Sequence, residues 1–465
     1  MVTVSHLTSV FVPKIVKKEK TGKDHSDKRR VNIAVVGDIL MTPQVQVSAA
    51  ASMSADIADP YKRVASGFEE LFSSEVREGL SAADIAFGNL ETPIAEGLTE
   101  QWSYKREGRP MCKKINLEPG VLCDGNAYKY NSIRSISNAH PALALALKNI
   151  GFDIVSTANN HFADRASNGI DGTIDSLRKA DLSFIGTQRS NEIAAGVNEY
   201  SYETSYVIKE IKDIKIAFLA FTTHMNHTAR GYQLWPLFLG RLPRTDEWCS
   251  RQASFIISNN TPIEFNIKQF CQAIENAKYH ADIVIVSIHF GIWQMHEPSK
   301  LQKKLAMVFL EAGADVIVGH GPHVLQPIEK FITKDKRKTF IIYSLGNFVM
   351  DGGTEDSIFS NSLSSVIGYI NLQKHLDGQV LIHDISYTPT FSYKHQDGLT
   401  KVVVANASYF HKSAGLLKTV FQGNNQSRLS LSYLYMSKFL FWRLVRIDDS
   451  WWEQWILNKW KRETT

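Results

Sequence analysis

Short apolar runs recur along the chain, and most end in a polar residue able to bind a metal or carry a proton. VNIAVVGD ends at Gly37 and Asp38. In ADIAFGNLETPI, Ala83–Phe87 reads as a strand, followed by Asn89 and Glu91. GFDIVSTANNH ends in Asn159, Asn160 and His161, and IKIAFLAFTTH in Thr222, Thr223 and His224. Asp282–Ile288 runs into His289, Asp315–Val318 precedes His320 and His323, and TFIIYSLGNF carries Asn347. Between these runs the spacing turns helical: weakly over about 61–80, then at 141–150, 170–180 and 266–279. Pro141 suits a first helical turn and Gly151 a stop.

The densest stretch is residues 281–326. Two apolar runs ending in histidine flank a helical segment with Leu301, Leu305 and Val308 on one face, stopped by Gly313. That is a strand–helix–strand unit long enough for a parallel crossover. Ligands in such sheets bind beyond the carboxyl ends of the strands, where these histidines fall. Six or seven apolar strands, mostly separated by helices, predict a layered α/β fold with helices on both faces.

Other segments break the pattern. Residues 1–30 end in KIVKKEKTGKDHSDKRR, which reads as a solvated, disordered tail or as a basic anchor for acidic lipid or polymer. Polar insertions lie at about 97–139 and 225–262, lengths usually functional or disordered. From about residue 390 the pattern dissolves, leaving 391–465 as a divergent extension. Its end, LSYLYMSKFLFWRLVRIDDSWWEQWILNKW, is aromatic and basic, either a terminal helix on the body or a helix associated with a membrane surface.

Charge and composition add little. The net charge is +5, much of it in the tail, and nothing in it calls for a nucleic-acid partner. No apolar run is long enough to span a bilayer, and the N-terminus lacks a signal-peptide pattern, so the expectation is cytoplasmic, with peripheral membrane contact through the C-terminal segment as the alternative. The four cysteines, Cys112, Cys123, Cys249 and Cys271, have no CxxC spacing and read as free thiols, although Cys112 and Cys123 are close enough for a short loop.

Singly, the strand-end residues are weak signals: Asp38 can cap a helix, Asn160 can shape a turn, and His289 can be structural. Together they supply carboxylates, amides and imidazoles at strand ends, with no competing Lys or Arg. Mixed nitrogen and oxygen ligation of this kind suits Zn²⁺, Mn²⁺ or Fe, not a thiolate zinc site or an all-oxygen calcium site.

The set GD (37–38), GNLETP (88–93), ANNHFAD (158–164), HFG (289–291), GADVIVGHGPHVLQ (313–326) and YSLGNF (343–348) closely resembles the CapA family. These are capsule and poly-γ-glutamate synthesis proteins, similar in fold to calcineurin-like metallophosphoesterases. The resemblance covers about residues 31–350 and implies a four-layer α/β/β/α sandwich over about 31–390, with one or two divalent transition metal ions at one sheet edge. Carried over by position, Glu91, Asn160, His289 and His320 would hold one ion. Asp38 and His323 would hold a second, with Glu91 bridging. His161 would be the catalytic acid or base. Asn89, Asn159, Asp164, His224, His296 and Asn347 would support these residues or meet substrate.

The chain departs from the superfamily pattern in three places. Leu40 stands where metallophosphoesterases place a histidine, Glu91 where they place aspartate, and Gly321 where many relatives have another histidine, for which His296 is a candidate replacement. The resemblance implies a metal-dependent hydrolase or transferase working at a phosphoryl or acyl-phosphate centre, in synthesis or processing of poly-γ-glutamate or a related amide-linked product. Its substrate would be an anionic polymer or small molecule, and its partner an ATP-dependent amide ligase. Lys105, Arg106, Arg109, Lys113 and Lys114 would suit such a polymer, and a solvated loop accounts for them equally. Two other readings stand beside this one: a non-catalytic accessory subunit of a ligase complex, and a general phosphodiesterase.

Overall fold

The computed structural model describes residues 29–95, 138–162, 164, 166–189, 206–223, 263–351, 363–394 and 399–404. In chain order the first half contains β1 (Arg30–Ile39), α1 (Pro43–Ala51), α2 (Pro60–Glu69), α3 (Ser74–Ser81), β2 (Ile85–Leu90), α4 (Ala142–Asn149), β3 (Ile154–Ser156), α5 (Ala166–Lys179) and β4 (Ser183–Ile185). There follow β5 (Tyr206–Ile211), β6 (Ile214–Thr222), α6 (Ile263–His280), β7 (Ile283–His289), α7 (Lys300–Glu311) and β8 (Val316–His320). The last strands are β9 (Ile328–Ile332), β10 (Lys338–Ile342), β11 (Asn347–Val349), β12 (Ser364–Lys374), β13 (Val380–Lys394) and β14 (Thr400–Val404).

These strands form two mixed sheets. The larger runs β14-β13-β12-β1-β2-β3-β4, with β11 also paired to β1, and the smaller runs β5-β6-β7-β8-β10-β9. The parallel core strands are β1 to β4 in one sheet and β6, β7, β8 and β10 in the other. Their carboxyl ends therefore fall along common edges.

Side chains alternate across a strand, so β1 feeds two cores at once. Ile33 and Val35 point between the sheets, where they join Phe87, Phe218, Ile285 and Val318. Ala34 and Val36 point the other way, into a core closed by Val64, Phe68, Val76, Leu80, Leu143 and Leu147 from helices α2, α3 and α4. The outer face of the smaller sheet packs on α6 and α7 through Phe270, Ile274, Leu305 and Phe309. Phe87 and Phe218 stack across the sheet–sheet interface at 5.7 Å. Each fully buried side chain of this size is worth about 1.5–3 kcal/mol, so the interface resists slippage of one sheet over the other.

Three local details differ from the sequence reading. The helical stretch at 61–80 is two helices, because Leu71 O accepts from Val402 N of β14 and Ser73 N donates to Val402 O instead of continuing the coil. In α7 the buried face is Gln302, Leu305, Ala306, Phe309 and Leu310, and Leu301 is half exposed. A capping box between Ser299 and Gln302 and a bond from Gln302 Nε2 to Gln326 Oε1 turn the face by one residue. The boundary expected near residue 390 falls inside β13, and β14 continues the sheet beyond it.

The expectations for the basic tail (residues 1–28), most of both insertions, His224, the Cys112 and Cys123 pair and the segment after 404 lie outside the described residues. Ala95 and Asn138, which bound the first insertion, exchange two hydrogen bonds: Ala95 N donates to Asn138 Oδ1 (2.9 Å) and Asn138 Nδ2 to Ala95 O (2.8 Å). Gln46 Nε2 ties the same spot to Met41 O. Among the described residues no helix is long and apolar enough to cross a membrane.

Candidate metal centre

Six strand ends deliver the polar residues. In the larger sheet Asp38 is in register with Asn89 of β2 and with Asn347 of β11, and Asn89 with Ser156 of β3. In the smaller sheet His289 is in register with His320. Glu91 follows β2 directly, and Asn159, Asn160 and His161 follow β3. Glycines permit the tight backbone approach behind two of these residues. A Cβ on Gly37 would overlap Gly346 O, and one on Gly319 would overlap Tyr343 O.

The two sheets meet at the carboxylates. Glu91 Oε1 lies 3.1 Å from His289 Nε2 and 3.5 Å from His323 Nε2. Asp38 Oδ1 lies 3.4 Å from His320 Nδ1, and Asp38 Oδ2 lies 3.2 Å from His323 Nδ1. Asn89 Nδ2 donates to Asp38 Oδ1 at 2.8 Å, and Gly321 N to Asp38 Oδ2 at 3.2 Å. Ligand atoms of Asp38, Glu91 and His289 all lie within 4.8 Å of one another, and all three residues are buried. Asp38 groups with Glu91 and His289 and also meets His320, which brings residues of both implied ligand sets into one cluster.

Supporting residues form a chain behind the carboxylates. Asn159 Nδ2 donates to Asn89 Oδ1 (3.1 Å) and to Leu90 O (2.8 Å), and its Oδ1 accepts from His161 N (3.0 Å). His161 Nδ1 sits 2.6 Å from Asp164 Oδ2. Asn160 is buried beside them. His296 is set in the neighbouring loop, with Nδ1 facing Leu325 O at 3.1 Å. Gly321 has φ +103, and a Cβ there would come within 2.9 Å of His289 Cε1 and 3.0 Å of Phe290 O. The backbone closes over the position where a further histidine would stand. Leu40 is buried, and its N–H is bonded to Val349 O.

Two participants were not legible in the sequence. Gly321 contributes its backbone N–H to Asp38, and Met350 Sδ accepts from Asn347 Nδ2 at 2.9 Å. The Gly-Pro turn at 321–322 is the signal for the first, whereas nothing in the local pattern marks Met350.

The electrostatics follow from this crowding. For Asp38, burial is the largest influence and opposes ionisation, but hydrogen bonds and charge from His320 and His323 outweigh it and hold the carboxyl well below its ordinary value. For His323, burial favours the neutral ring, yet the Glu91 charge and the bonds to Asp38 and Asn347 raise it to about 10. His161 is likewise desolvated, and the Asp164 carboxylate, then Glu91, carry it above the usual imidazole value.

The set of donors fits a cation. Glu91 Oε2 and His320 Nε2 are buried without a hydrogen-bond partner among the described residues. A buried, uncompensated carboxylate oxygen is costly, and a cation placed against it and the imidazoles would offset that cost.

The fold and this cluster define the class: an α/β protein with a buried carboxylate–imidazole centre, at the edge of two sheets, that can hold a metal ion. Residues 32–352 match the family model described as bacterial capsule synthesis protein PGA_cap, and the chain belongs to that family. It is 28% identical over 336 residues to "Capsule biosynthesis protein CapA" of Bacillus anthracis, covering 72% of this chain and 64% of that protein. It is 30% identical over 279 residues to "PGA biosynthesis protein CapA" of Bacillus subtilis (strain 168), covering 59% of this chain and 56% of that protein. The chain thus spans less than two thirds of the length of these relatives.

Proposed function

We propose that the chain is a metal-dependent enzyme acting in synthesis or processing of poly-γ-glutamate or a related amide-linked product, by hydrolysis or transfer at a phosphoryl or acyl-phosphate centre. The observation that carries this reading is the pair of buried atoms with no hydrogen-bond partner among the described residues, Glu91 Oε2 and His320 Nε2, beside the Asp38, Glu91 and His289 group. Asp38, Glu91, His289, His320, His323 and Asn160 would hold one or two ions of Mn, Zn or Fe. When bound, such an ion would act as a Lewis acid toward a phosphoryl or acyl oxygen. The two sheets sharing one core, with helices on each outer face, support a four-layer α/β/β/α sandwich of the metallophosphoesterase kind.

The protein's own groups have separable tasks. Asp164, accepting from Nδ1–H, fixes the His161 tautomer and leaves Nε2 to give or take a proton at the reacting centre. Asn159 anchors the His161 backbone to the strand that carries Glu91. An anionic polymer or small molecule as substrate, and an ATP-dependent amide ligase as partner, belong to this proposal.

The test is elemental analysis of purified protein, followed by assay of the loaded and chelator-stripped forms on phosphoesters and on poly-γ-glutamate precursors. Metal-dependent turnover is expected. A second reading, a non-catalytic accessory subunit, draws on the burial of Asp38, Glu91, His289 and His320, each at most 1% exposed. A folded, metal-free protein that binds a ligase but turns over nothing would favour it.

A further inference from the structure

His323 sits between the two carboxylates, and its two ring nitrogens face different chemistry. Nδ1 lies 2.8 Å from Asn347 Oδ1 and 3.2 Å from Asp38 Oδ2, both acceptors. Nε2 lies 3.5 Å from Glu91 Oε1. The surroundings of the Asn347 amide favour one orientation. Its Nδ2 faces His323 O (3.4 Å) and Met350 Sδ (2.9 Å), and a flipped amide would set its oxygen against those two acceptors. Oδ1 therefore faces the ring, and an acceptor there needs a proton on Nδ1.

The ring is also held from behind. His323 has a left-handed backbone, φ 58, and the preceding residue is pinned by Gln294 N donating to Pro322 O at 2.8 Å. Asn347 begins β11, in register with Asp38, so the residue that orients His323 is part of the same sheet as the carboxylate.

From this geometry we infer that Asn347 keeps a proton on His323 Nδ1, making Nε2, the ring atom that faces Glu91, the one that a cation takes. The inference rests on the metal-centre reading above and makes Asn347 a positioning residue. A neutral ring with hydrogen on Nδ1 turns a bare lone pair toward Glu91 Oε1, an arrangement stabilised by a cation between them. Asp38 Oδ2 faces the Nδ1 side of the ring and accepts from Gly321 N. Residues that fix the tautomer of a ligating histidine in this way commonly contribute about 10–100-fold in metal affinity.

The experiment uses the full chain labelled with ¹⁵N-histidine, with the His323 signals assigned by His323→Gln. In the chelator-stripped protein, brought to a pH at which the ring is neutral, the expected result is a protonated Nδ1 and a bare Nε2. On zinc titration that proton stays, and the Nε2 resonance moves to a metal-bound shift. Zinc affinity should fall about 10–100-fold in Asn347→Leu and be retained in Asn347→Asp, which keeps the acceptor oxygen. If Asn347→Leu does not fold, the wild-type spectra and Asn347→Asp decide. A bare Nδ1 in the stripped protein, or a zinc-loaded form with the proton on Nε2, overturns the inference. Failure of the unaltered chain to bind zinc, manganese or iron while Nδ1 is protonated instead overturns the metal reading of the site and, with it, the assignment of Nε2 to a cation.

Discussion

Asp38 and His320 end strands of different sheets, yet Asp38 Oδ1 and His320 Nδ1 are 3.4 Å apart, with both side chains buried. The contact closes the seam between the sheets at the edge where the other candidate ligands gather. A cation bound here would join the sheets as well as support chemistry.

The first prediction concerns that joint. His289→Ala and His320→Ala should each remove most of the bound metal, read by elemental analysis. Addition of Zn²⁺ or Mn²⁺ to stripped wild-type protein, at about a hundredfold over Kd, should stabilise it by about 2.7 kcal/mol, read by thermal melting. Full metal content in both variants would show that the cluster is not the binding site.

His161 should separate chemistry from binding. Its Nδ1 is committed to Asp164, so a proton moves through Nε2, a role worth roughly 10²–10⁴-fold in rate. His161→Asn is expected to keep metal and fold while losing turnover by that factor. Unchanged activity on the natural substrate would take His161 out of the reaction.

The pH dependence follows from His323, which burial opposes but Glu91, Asp38 and Asn347 raise to about 10. A raised folded-state value means the charged ring stabilises the metal-free protein. That stability is fully present below the unfolded imidazole value of about 6.5 and is lost as pH rises through about 10. Denaturant melts of stripped protein should therefore weaken between these limits, and His323→Gln should flatten the curve. Proton and cation compete for the same ring, so apparent metal affinity should rise over the same window. A flat stability profile in the unaltered stripped protein would contradict the charged state of His323.

The last prediction separates stability from the site. Phe309 is buried on the outer face of the smaller sheet, 5.5 Å from Phe221 and 6.2 Å from Phe270 between ring centres. Phe309→Ala should cost about 3–5 kcal/mol through the cavity it leaves. Metal affinity per folded molecule should be unchanged. A parallel loss of affinity would mean that the α7 layer helps to set the ligand geometry.

Much of the centre was legible because a polar residue closing an apolar run marks a strand end. Asp38, Glu91, His289, His320 and His323 stand out in that way, and the structure brings them together. Which ligands meet was not legible, because Asp38 and His320 lie on different sheets and only the packing of one sheet on the other makes them neighbours. The role of Gly321 was hidden for a similar reason: its N–H reaches Asp38 across the seam, and its missing Cβ matters only beside His289. Leu301 misled because apolar spacing alone set the helix face, whereas the bonds of Gln302 decided it. Beyond residue 364, strands β12 to β14 pair antiparallel at the sheet margin with mixed burial, a weaker signal than the buried parallel strands.

The paired hydrogen bonds between Ala95 and Asn138 give the first insertion a single doorway. The two flanking residues are tied to each other, so the register of β2 and the start of α4 are held by bonds between described residues. Such a socket accepts cartridges of different length at a cost that grows only slowly with length. Ala95 follows Glu91 by only a few residues, so the same tie steadies the backbone that carries that carboxylate.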